Sequence, residues 1–326
     1  MVKVLNGNSI PNMPWEQKPG NCNEIIWRSV KNPIIDNKTV LNADRIYNSA
    51  AVPFKDGFAG VFRVDNVEKG ADLRVGFSKD GIKWDIKDTV IEFENQIPEI
   101  QGRAGYDPRV CFIEDRYYIS WANAMSYGAS IGLAYTFDFE KFYQMENPFL
   151  PQNRNGVLFP RKINGNYFMI SRPCDKGHNA NGDMYISQSP DLEYWGKHRF
   201  LFGATRGWQG GKVGAGPVPI ETTEGWLVLY HGTNISCNGY IYSYGAALLD
   251  LNDPTKVLYR TKRFLMCPET LYERVGEVPN VVFPCATICD ADTGRIALYY
   301  GAADTVTCLA YTTIDDVVKF VKENSY

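Results

Sequence analysis

The chain has 326 residues and a formal net charge of −3, from 34 Lys and Arg against 37 Asp and Glu, which argues against a nucleic-acid binder that relies on bulk charge. Hydrophobic residues make up 44% of the chain and charged residues 22%, a composition that excludes wholesale disorder. Aromatic residues reach 13%, which favours β-strands and suits stacking against sugar rings.

Residues 1–40 are rich in Pro, Asn and Trp and are predicted to form an ordered arm on the outside of a single domain that spans 1–326. Beyond the arm, short aromatic or β-branched strands recur as five pairs, with a period of roughly 50–70 residues. The first strands of the pairs are 58–63, 117–121, 167–171, 226–230 and 296–300, and the second strands are 73–77, 131–135, 184–187, 244–248 and 308–311. This radial repetition predicts an all-β fold, a five-bladed β-propeller.

Two polar turns, 78–84 and 187–195, both lead from a strand to a tryptophan, as in turns that join the third and fourth strands of a propeller blade. Near the end of the chain, Thr313 is typical of a helix N-cap and is followed by two acidic residues in the first turn. Apolar residues at 314, 317, 318 and 321 then share one face, which predicts a short C-terminal helix over 314–324.

The sequence has no apolar run of the length that a membrane span or an export signal needs. Its eight cysteines include no CxxC pair, and several of them, such as Cys111 and Cys285, stand in apolar strand-like runs. With only three histidines, no metal site is expected. Reduced thiols without a leader predict a cytoplasmic protein that contacts neither membranes nor nucleic acid.

A candidate catalytic acid stands at Asp107, between Tyr106 and Pro108, just before the predicted strand 110–113. The following proline favours an extended backbone, and a loop at this place can face the central funnel of a propeller. A carboxylate there can act as a general acid. The alternative is a structural Asp-Pro turn whose acid forms an ion pair with a nearby Arg.

A set of cations recurs at comparable places in the repeats: Arg154 beside Asn155, Arg172, Lys212 and His231. Because the inner strands of a propeller converge on its axis, these side chains are predicted to meet there. Several cations without matching acids favour an anion, and Arg and Lys suit phosphate. For any one of them, a surface salt bridge remains the alternative.

Four further polar residues come from the two ends of the repeated region. Asn48, Ser49 and Arg63 belong to the first repeat, and Asp304 belongs to the last. Ring closure brings the first and last repeats together, so these residues are candidates for binding vicinal sugar hydroxyls. The alternative is that they are turn residues at blade edges.

Taken together, these motifs resemble glycoside hydrolase family 130, the mannoside phosphorylases with five-bladed propellers. The resemblance covers nearly the whole chain and is greatest to the branch that acts on β-1,4-linked mannooligosaccharides, including mannosyl-N-acetylglucosamine. Its most specific stretches are YDPR (106–109), NRNGVLFPRKI (153–163), KVGAGP (212–217), NGYIYS (238–243), VPNVVFP (278–284) and YYGAAD (299–304).

The resemblance assigns a role to each of these positions. It implies that Asp107 is the single catalytic acid and that the phosphate ligands are Arg154, Asn155, Arg172, Lys212, His231 and Tyr242. The implied mannoside contacts are Asn48, Ser49, Arg63, Tyr106, His178 and Asp304. The loops 122–130 and 176–183 are where contacts with the acceptor sugar are expected, and their sequences leave open whether that sugar is mannose, glucose or N-acetylglucosamine.

The reaction implied is an inverting phosphorolysis that releases α-D-mannose 1-phosphate. Phosphate is itself an anionic nucleophile, so a second carboxylate that activates water is not needed. In this family the proton of the acid is relayed through the mannosyl 3-hydroxyl, and no cofactor beyond phosphate is implied. The resemblance also implies a homo-oligomer, with the hexamer as one form. A hydrolase on the same fold and a non-catalytic sugar-binding propeller are the alternatives.

Overall fold

The computed structural model describes residues 1–66, 68, 70–175, 177 and 180–326. Its strands form five antiparallel sheets, and each sheet is a blade of a β-propeller. In chain order the strands are β1 (Trp27–Arg28), β2 (Arg45–Phe54), β3 (Gly57–Asn66), β4 (Gly70–Ser78), β5 (Asp85–Val90), β6 (Gly105–Ile113), β7 (Arg116–Met125), β8 (Gly128–Thr136), β9 (Tyr143–Met145), β10 (Asn153–Leu158), β11 (Tyr167–Pro173), β12 (Met184–Ser189), β13 (Gly196–Phe202), β14 (Lys212–Ala215), β15 (Ile220–Thr222), β16 (Gly225–Ser236), β17 (Gly239–Leu249), β18 (Val257–Arg260), β19 (Val282–Cys289), β20 (Arg295–Ala302) and β21 (Val306–Thr313).

The blades follow one another along the chain. Blade 1 is β2 to β5, blade 2 is β6 to β9 and blade 3 is β10 to β13, with each strand paired to the next. Blade 4 has β14, β16, β17 and β18, and β15 adds a second short piece against β16. Blade 5 has β19, β20 and β21. The innermost strand of blade 5 contacts the innermost strand of blade 1, which closes the ring. The predicted five-bladed propeller is therefore confirmed.

The N-terminal arm completes the last blade, which the sequence pattern did not reveal. Strand β1 pairs antiparallel with β21 and becomes the fourth strand of blade 5. Trp27 lies opposite Tyr311, and the backbone N–H of Ser29 donates to Leu309 at 2.9 Å. Joining the two ends of the chain in one sheet fastens the ring, because opening the blade would expose the hydrogen-bonding edge of β21.

The core consists of layers between successive blades. Each of five large apolar clusters takes side chains from two neighbouring blades. The aromatic residues fill these layers: Trp84 of blade 1 meets Tyr299 of blade 5 edge-on at 6.1 Å, and Phe159 of blade 3 meets Trp226 of blade 4 at 5.1 Å. Such pairs favour edge-to-face geometry, so they fix how one blade lies on the next.

The turns between third and fourth strands share one hydrogen-bonding pattern. In blades 1, 2 and 3 the hydroxyl of Ser78, Thr136 or Ser189 accepts a backbone N–H three residues on, at 2.8–2.9 Å. An aspartate two residues after each hydroxyl accepts two further backbone N–H groups. The polar turns predicted from the sequence therefore join the expected strands, and their side chains satisfy the turn backbone.

Helices are few and short. Two 3₁₀ turns span Pro98–Ile100 and Gly207–Gln209, and α1 is Leu271–Arg274. The predicted C-terminal helix is α2, Ile314–Glu323, and its N-cap Thr313 accepts the backbone N–H of Asp316 at 3.2 Å. Its four apolar residues are buried against blades 4 and 5. No helix in the described part of the chain has both the length and the apolar character needed to cross a membrane.

Candidate active site

Three innermost strands carry the same irregularity. The antiparallel register of β2, β6 and β10 shifts near the start of each strand. At each shift one residue has a left-handed backbone: Asn48, Asp107 and Asn155, with φ of 48°, 52° and 55°. Asn and Asp tolerate this conformation better than most residues. A bulge breaks the alternation of a strand, and here all three side chains line the same cavity.

Asp107 lies within β6, not on the loop before it, which corrects its position in the sequence analysis. Asn48 Nδ2 and Arg63 Nη1 both donate to its Oδ1, each at 2.9 Å. Its Oδ2 accepts no hydrogen bond from any residue that the structure describes, and the side chain is 16% exposed. The arginine that forms an ion pair with Asp107 is thus Arg63, and Arg109 donates from Nε to the carbonyl of Gly216 at 2.6 Å. Asp107 thus keeps one carboxyl oxygen available to a ligand.

Arg63 is fixed on three sides. Its Nε and Nη2 donate to the two oxygens of Asp65 at 2.8 and 3.0 Å. Its guanidinium lies 4.0 Å from the ring centre of Tyr47 and 5.3 Å from that of Tyr106. A planar guanidinium with a bidentate partner and aromatic neighbours loses little further freedom when it binds a ligand. The bond from Arg63 to Asp107 is therefore part of a preorganised group.

Asp304 is the second carboxyl group that lines the cavity. It occupies the turn between β20 and β21 and has a left-handed backbone with φ of 49°. Burial, and after it the charge of Asp107, raises the pKa of Asp304 from 3.8 to about 7. Near neutral pH its carboxyl group is therefore present in both protonation states, and it can donate or accept a hydrogen bond with a hydroxyl group.

The cations come from blades 3 and 4. Arg154 lies on β10, Arg172 on β11 and Lys212 on β14. Among the residues that the structure describes, no carboxylate forms an ion pair with any of them. Arg172 is only 7% exposed. A buried cation without a carboxylate to balance its charge is costly, which indicates an anionic ligand.

His231 is neutral in this setting. Burial, followed by the charges of Arg172 and Lys212, holds its pKa well below 6.5. Arg172 Nη1 lies 3.1 Å from His231 Nε2. A guanidinium donates but does not accept, so Nε2 is the acceptor and the ring proton is on Nδ1. That Nδ1 is buried and has no hydrogen-bond partner within the described residues.

Lys212 also has a perturbed charge. Burial, then the charges of Arg172 and Arg154, lowers its pKa from 10.5 to about 8. Its Nζ lies 4.6 Å and 4.9 Å from the ring centres of Tyr240 and Tyr242. An anion bound here would offset the repulsion among the cations.

Unpartnered polar atoms concentrate at this site. Nine buried side-chain nitrogen or oxygen atoms lack a hydrogen-bond partner in the described part of the chain. Four of the nine belong to predicted phosphate ligands: Arg154 Nε, Asn155 Oδ1, Arg172 Nε and His231 Nδ1. Buried polar groups in native proteins are rarely left unpaired, so this concentration indicates that a polar ligand completes the site.

One cavity of about 180 Å³ is lined by the two carboxyl groups, the three cations, His231, Arg63 and the two asparagines of the bulges. A larger cavity of about 410 Å³ lies at the other ends of the innermost strands. Its charged residues all have partners: Arg161 pairs with Glu221, and Glu114 pairs with Lys162. The chemistry therefore belongs to the smaller cavity, where Arg154, Arg172 and Lys212 have no carboxylate partner among the described residues.

Comparisons with known proteins agree with this assignment. A family model described as β-1,4-mannooligosaccharide phosphorylase matches residues 8–323. The chain belongs to glycoside hydrolase family 130. The β-1,4-mannooligosaccharide phosphorylase of Ruminococcus albus is 56% identical over 331 residues, which cover 99% of each chain. The β-1,2-mannobiose phosphorylase of Listeria innocua is 42% identical over 72% of this chain and 64% of that protein.

A solved structure shares the fold closely. The β-1,2-mannobiose phosphorylase of Listeria innocua, determined in complex with β-1,2-mannobiose, superposes with a TM-score of 0.84 and 29% identity. The match covers 92% of this chain and 99% of that one. The fold of this family 130 member is therefore that of a mannoside phosphorylase.

The cavity of this family 130 protein gathers all but two of the residues predicted from the sequence. They are Asn48, Arg63, Tyr106, Asp107, Arg154, Asn155, Arg172, Lys212, His231, Tyr242 and Asp304. Ser49 is buried and its hydroxyl donates to the carbonyl of Tyr47 at 3.2 Å, so it supports the strand and does not line the cavity. His178, predicted as a substrate contact, lies outside the described residues.

The sequence-based predictions missed one residue of the cavity wall, Phe283. Phe283 lies on β19, 4.6 Å from the ring centre of His231. It stands within the VPNVVFP motif, which was the available signal. Ala122, which belongs to the stretch 122–130 where acceptor contacts were predicted, also lines the cavity. That stretch is not a loop: it is the end of β7, a two-residue turn and the start of β8.

Proposed function

We propose that this chain catalyses the inverting phosphorolysis of β-1,4-linked mannooligosaccharides at the non-reducing end, releasing α-D-mannose 1-phosphate. The observation that carries the proposal is that Arg154, Arg172 and Lys212, all without carboxylate partners in the described structure, share one cavity with Asp107. The 56% identity to the Ruminococcus albus β-1,4-mannooligosaccharide phosphorylase supports the choice of substrate.

In the proposed reaction, a phosphate oxygen attacks C1 of the terminal mannosyl unit from its α face. The bond from C1 to the glycosidic oxygen breaks, and that oxygen takes up a proton that originates on Asp107 and passes through the mannosyl 3-hydroxyl. Because Oδ1 already accepts from Asn48 and Arg63, the proton resides on Oδ2. After the transfer, Arg63 stabilises the carboxylate that remains.

The cations position the nucleophile. The ionised form of Asp304 would repel a phosphate dianion, and the charges of Arg154, Arg172 and Lys212 offset this repulsion. Forked guanidinium donors also fix the orientation of phosphate, which places its oxygen in line with C1. The N–H on Nδ1 of neutral His231 supplies a further donor that does not add charge.

Hydrolysis is the second candidate, and one observation favours it. An inverting hydrolase needs two carboxyl groups, an acid and a base that activates water. Asp107 and Asp304 both line the cavity, so the carboxyl count alone permits hydrolysis. The unpaired cations have no role in that reaction, which is why phosphorolysis is preferred.

The deciding experiment is incubation with β-1,4-mannobiose in buffers with and without inorganic phosphate. Phosphorolysis predicts α-D-mannose 1-phosphate and one mannose, and turnover only when phosphate is present. Equal turnover without phosphate, giving mannose alone, would establish the hydrolase. Activity is expected to survive treatment with a metal chelator. The cytoplasmic location and the homo-oligomeric state stay predictions.

A further inference from the structure

One backbone segment joins the two halves of the cavity. Residues 275–281, the linking segment, run between Tyr242 on β17 and the turn that carries Asp304. The backbone N–H of Tyr242 donates to the carbonyl of Asn280 at 2.9 Å. On the other side, the N–H of Ala303 donates to Val281 at 3.1 Å, and the N–H of Val278 donates to Ala303 at 3.2 Å. The segment thus contacts both the phosphate side and the mannosyl side.

The turn that carries Asp304 needs this support. Ala303 and Asp304 both have left-handed backbones, with φ of 46° and 49°. A β-turn whose two central residues are both left-handed normally uses Asn-Gly or Asp-Gly, because a Cβ is unfavourable there. Residues in such conformations persist where surrounding contacts over-determine them. Here the two hydrogen bonds between Ala303 and the linking segment, to Val281 and from Val278, stabilise the left-handed backbone.

The linking segment is itself anchored by a buried carboxylate. Glu273 in α1 is fully buried. Its Oε1 accepts from Arg28 Nε at 2.7 Å and from the hydroxyl of Tyr300 at 2.9 Å, and its Oε2 accepts the backbone N–H of Glu269 at 2.7 Å. Its carbonyl accepts the N–H of Val281 at 3.0 Å. Glu273 therefore ties the arm, blade 5 and the end of the linking segment together.

Gly276 sets how closely the segment approaches the turn. A methyl group added at Gly276 would overlap the carbonyl oxygen of Ala303 and the hydroxyl of Thr305. The backbone of Gly276 is not left-handed, so alanine meets only the steric conflict. The most direct relief is a shift of the segment away from the Asp304 turn.

We propose that the linking segment is a shared positioning element for phosphate and mannoside, with Glu273 and Gly276 as positioning residues that touch neither ligand. This inference rests on the proposed function, which assigns Tyr242 to the phosphate side and Asp304 to the mannosyl side. Because the two sides share one support, a change in the segment alters the binding of both ligands together.

The test uses Gly276→Ala and Glu273→Gln, with initial rates over a grid of phosphate and mannobiose concentrations. Both variants are expected to raise the KM for phosphate and the KM for mannobiose together, by roughly tenfold or more, because displacements near 1 Å carry such penalties. The matched controls are Gly196→Ala, where a methyl meets open space, and Glu221→Gln, which removes the charge of a buried carboxylate that pairs with Arg161. Both controls are expected to leave the two KM values unchanged.

The readouts separate this inference from general destabilisation and from failure of the proposed function. Glu221→Gln is expected to lower the Tm, because it changes a buried carboxylate as Glu273→Gln does. If Glu221→Gln lowers the Tm and leaves both KM values unchanged, the higher KM values of the linking-segment variants do not result from lost stability. If the wild type shows no phosphate-dependent turnover, the proposed function fails, and calorimetric binding of phosphate to wild type and Gly276→Ala still tests the segment. The inference would be overturned if both variants, Gly276→Ala and Glu273→Gln, fold and leave the two KM values unchanged, or if they change only one of the two.

Discussion

Arg172 and His231 are joined by a buried hydrogen bond of 3.1 Å, from Nη1 of the arginine to Nε2 of the histidine. The bond fixes the tautomer of His231 and places the ring proton on Nδ1, which has no hydrogen-bond partner among the described residues. Because burial and Arg172 keep the pKa of the ring well below 6.5, His231 contributes a neutral donor across the working pH range. Lys212 is then the cation of this group whose charge changes near neutral pH.

Phosphate binding is expected to weaken at alkaline pH. The pKa of Lys212 is lowered to about 8 by burial and by Arg172 and Arg154, so the lysine loses its charge as the pH rises through that value. The KM for phosphate should be constant just below pH 8 and rise above it. Lys212→Arg keeps the charge and should remove the rise. An identical alkaline rise in that variant would mean that another group titrates.

Removing the lysine should weaken phosphate and spare the sugar. Lys212→Ala deletes a desolvated, charged contact worth roughly 1.5–3 kcal/mol, so the KM for phosphate is expected to increase about 10–150-fold. The measurement is a grid of initial rates over phosphate and mannoside. A change in the KM for mannoside without a change in the KM for phosphate would show that the cations do not bind phosphate.

The same lysine should cost stability when phosphate is absent. Between about pH 8 and 10.5 the folded state binds fewer protons at Lys212 than the unfolded state does, so wild-type stability rises with pH in that window. Below pH 8 the buried charge carries its full penalty. Lys212→Met is therefore expected to raise the Tm by a few degrees at pH 7 in phosphate-free buffer, measured by thermal denaturation. The gain should shrink as the pH rises above 8, and an equal gain at pH 10.5 would contradict this account.

Asp107→Asn should abolish most of the turnover while the fold survives. The amide keeps the shape of the side chain but supplies no acid, and general acid catalysis contributes roughly 10²–10⁴-fold. The expected loss of kcat is in that range, with an unchanged circular dichroism spectrum. Retention of more than about a tenth of the activity would identify Asp107 as a structural residue.

Asp304→Asn should weaken every ligand that carries the mannosyl ring. The affinities for the mannooligosaccharide and for α-D-mannose 1-phosphate are expected to fall together, since both present the same hydroxyls to this side chain. In the wild type, Asp304 becomes protonated as the pH falls through about 7, and its charge-assisted bonds are lost. The KM for mannoside should therefore rise below pH 7 in the wild type but not in the variant. Loss of phosphate affinity alone would contradict the assignment.

The reverse reaction can identify the acceptor sugar. With α-D-mannose 1-phosphate as donor, mannose is expected to be a better acceptor than glucose or N-acetylglucosamine, and the product should be β-1,4-linked. The measurement is the initial rate of phosphate release with each acceptor. A preference for N-acetylglucosamine or glucose would move the chain to one of the other acceptor classes of the family.

Much of the fold follows from local patterns in the sequence. The five recurring strand pairs predict the blades, and Thr313 with two acidic residues predicts the start of α2, because both signals depend on residues close in the chain. The motifs around Asp107, Arg154 and Lys212 likewise indicate the site, because they resemble motifs of glycoside hydrolase family 130. Local order was thus decided by periodicity and by capping chemistry.

The tertiary structure alone decided how those residues meet. Asp107 is held by Asn48 and Arg63, not by its neighbour Arg109, because blade 2 packs beside blade 1 and places β6 next to β2 and β3. Strand β1 completes blade 5 through pairing with residues more than 280 positions away. Bulges then turn three polar side chains into one cavity. Such contacts depend on the path of the whole chain around the ring, and no short stretch of sequence specifies that path.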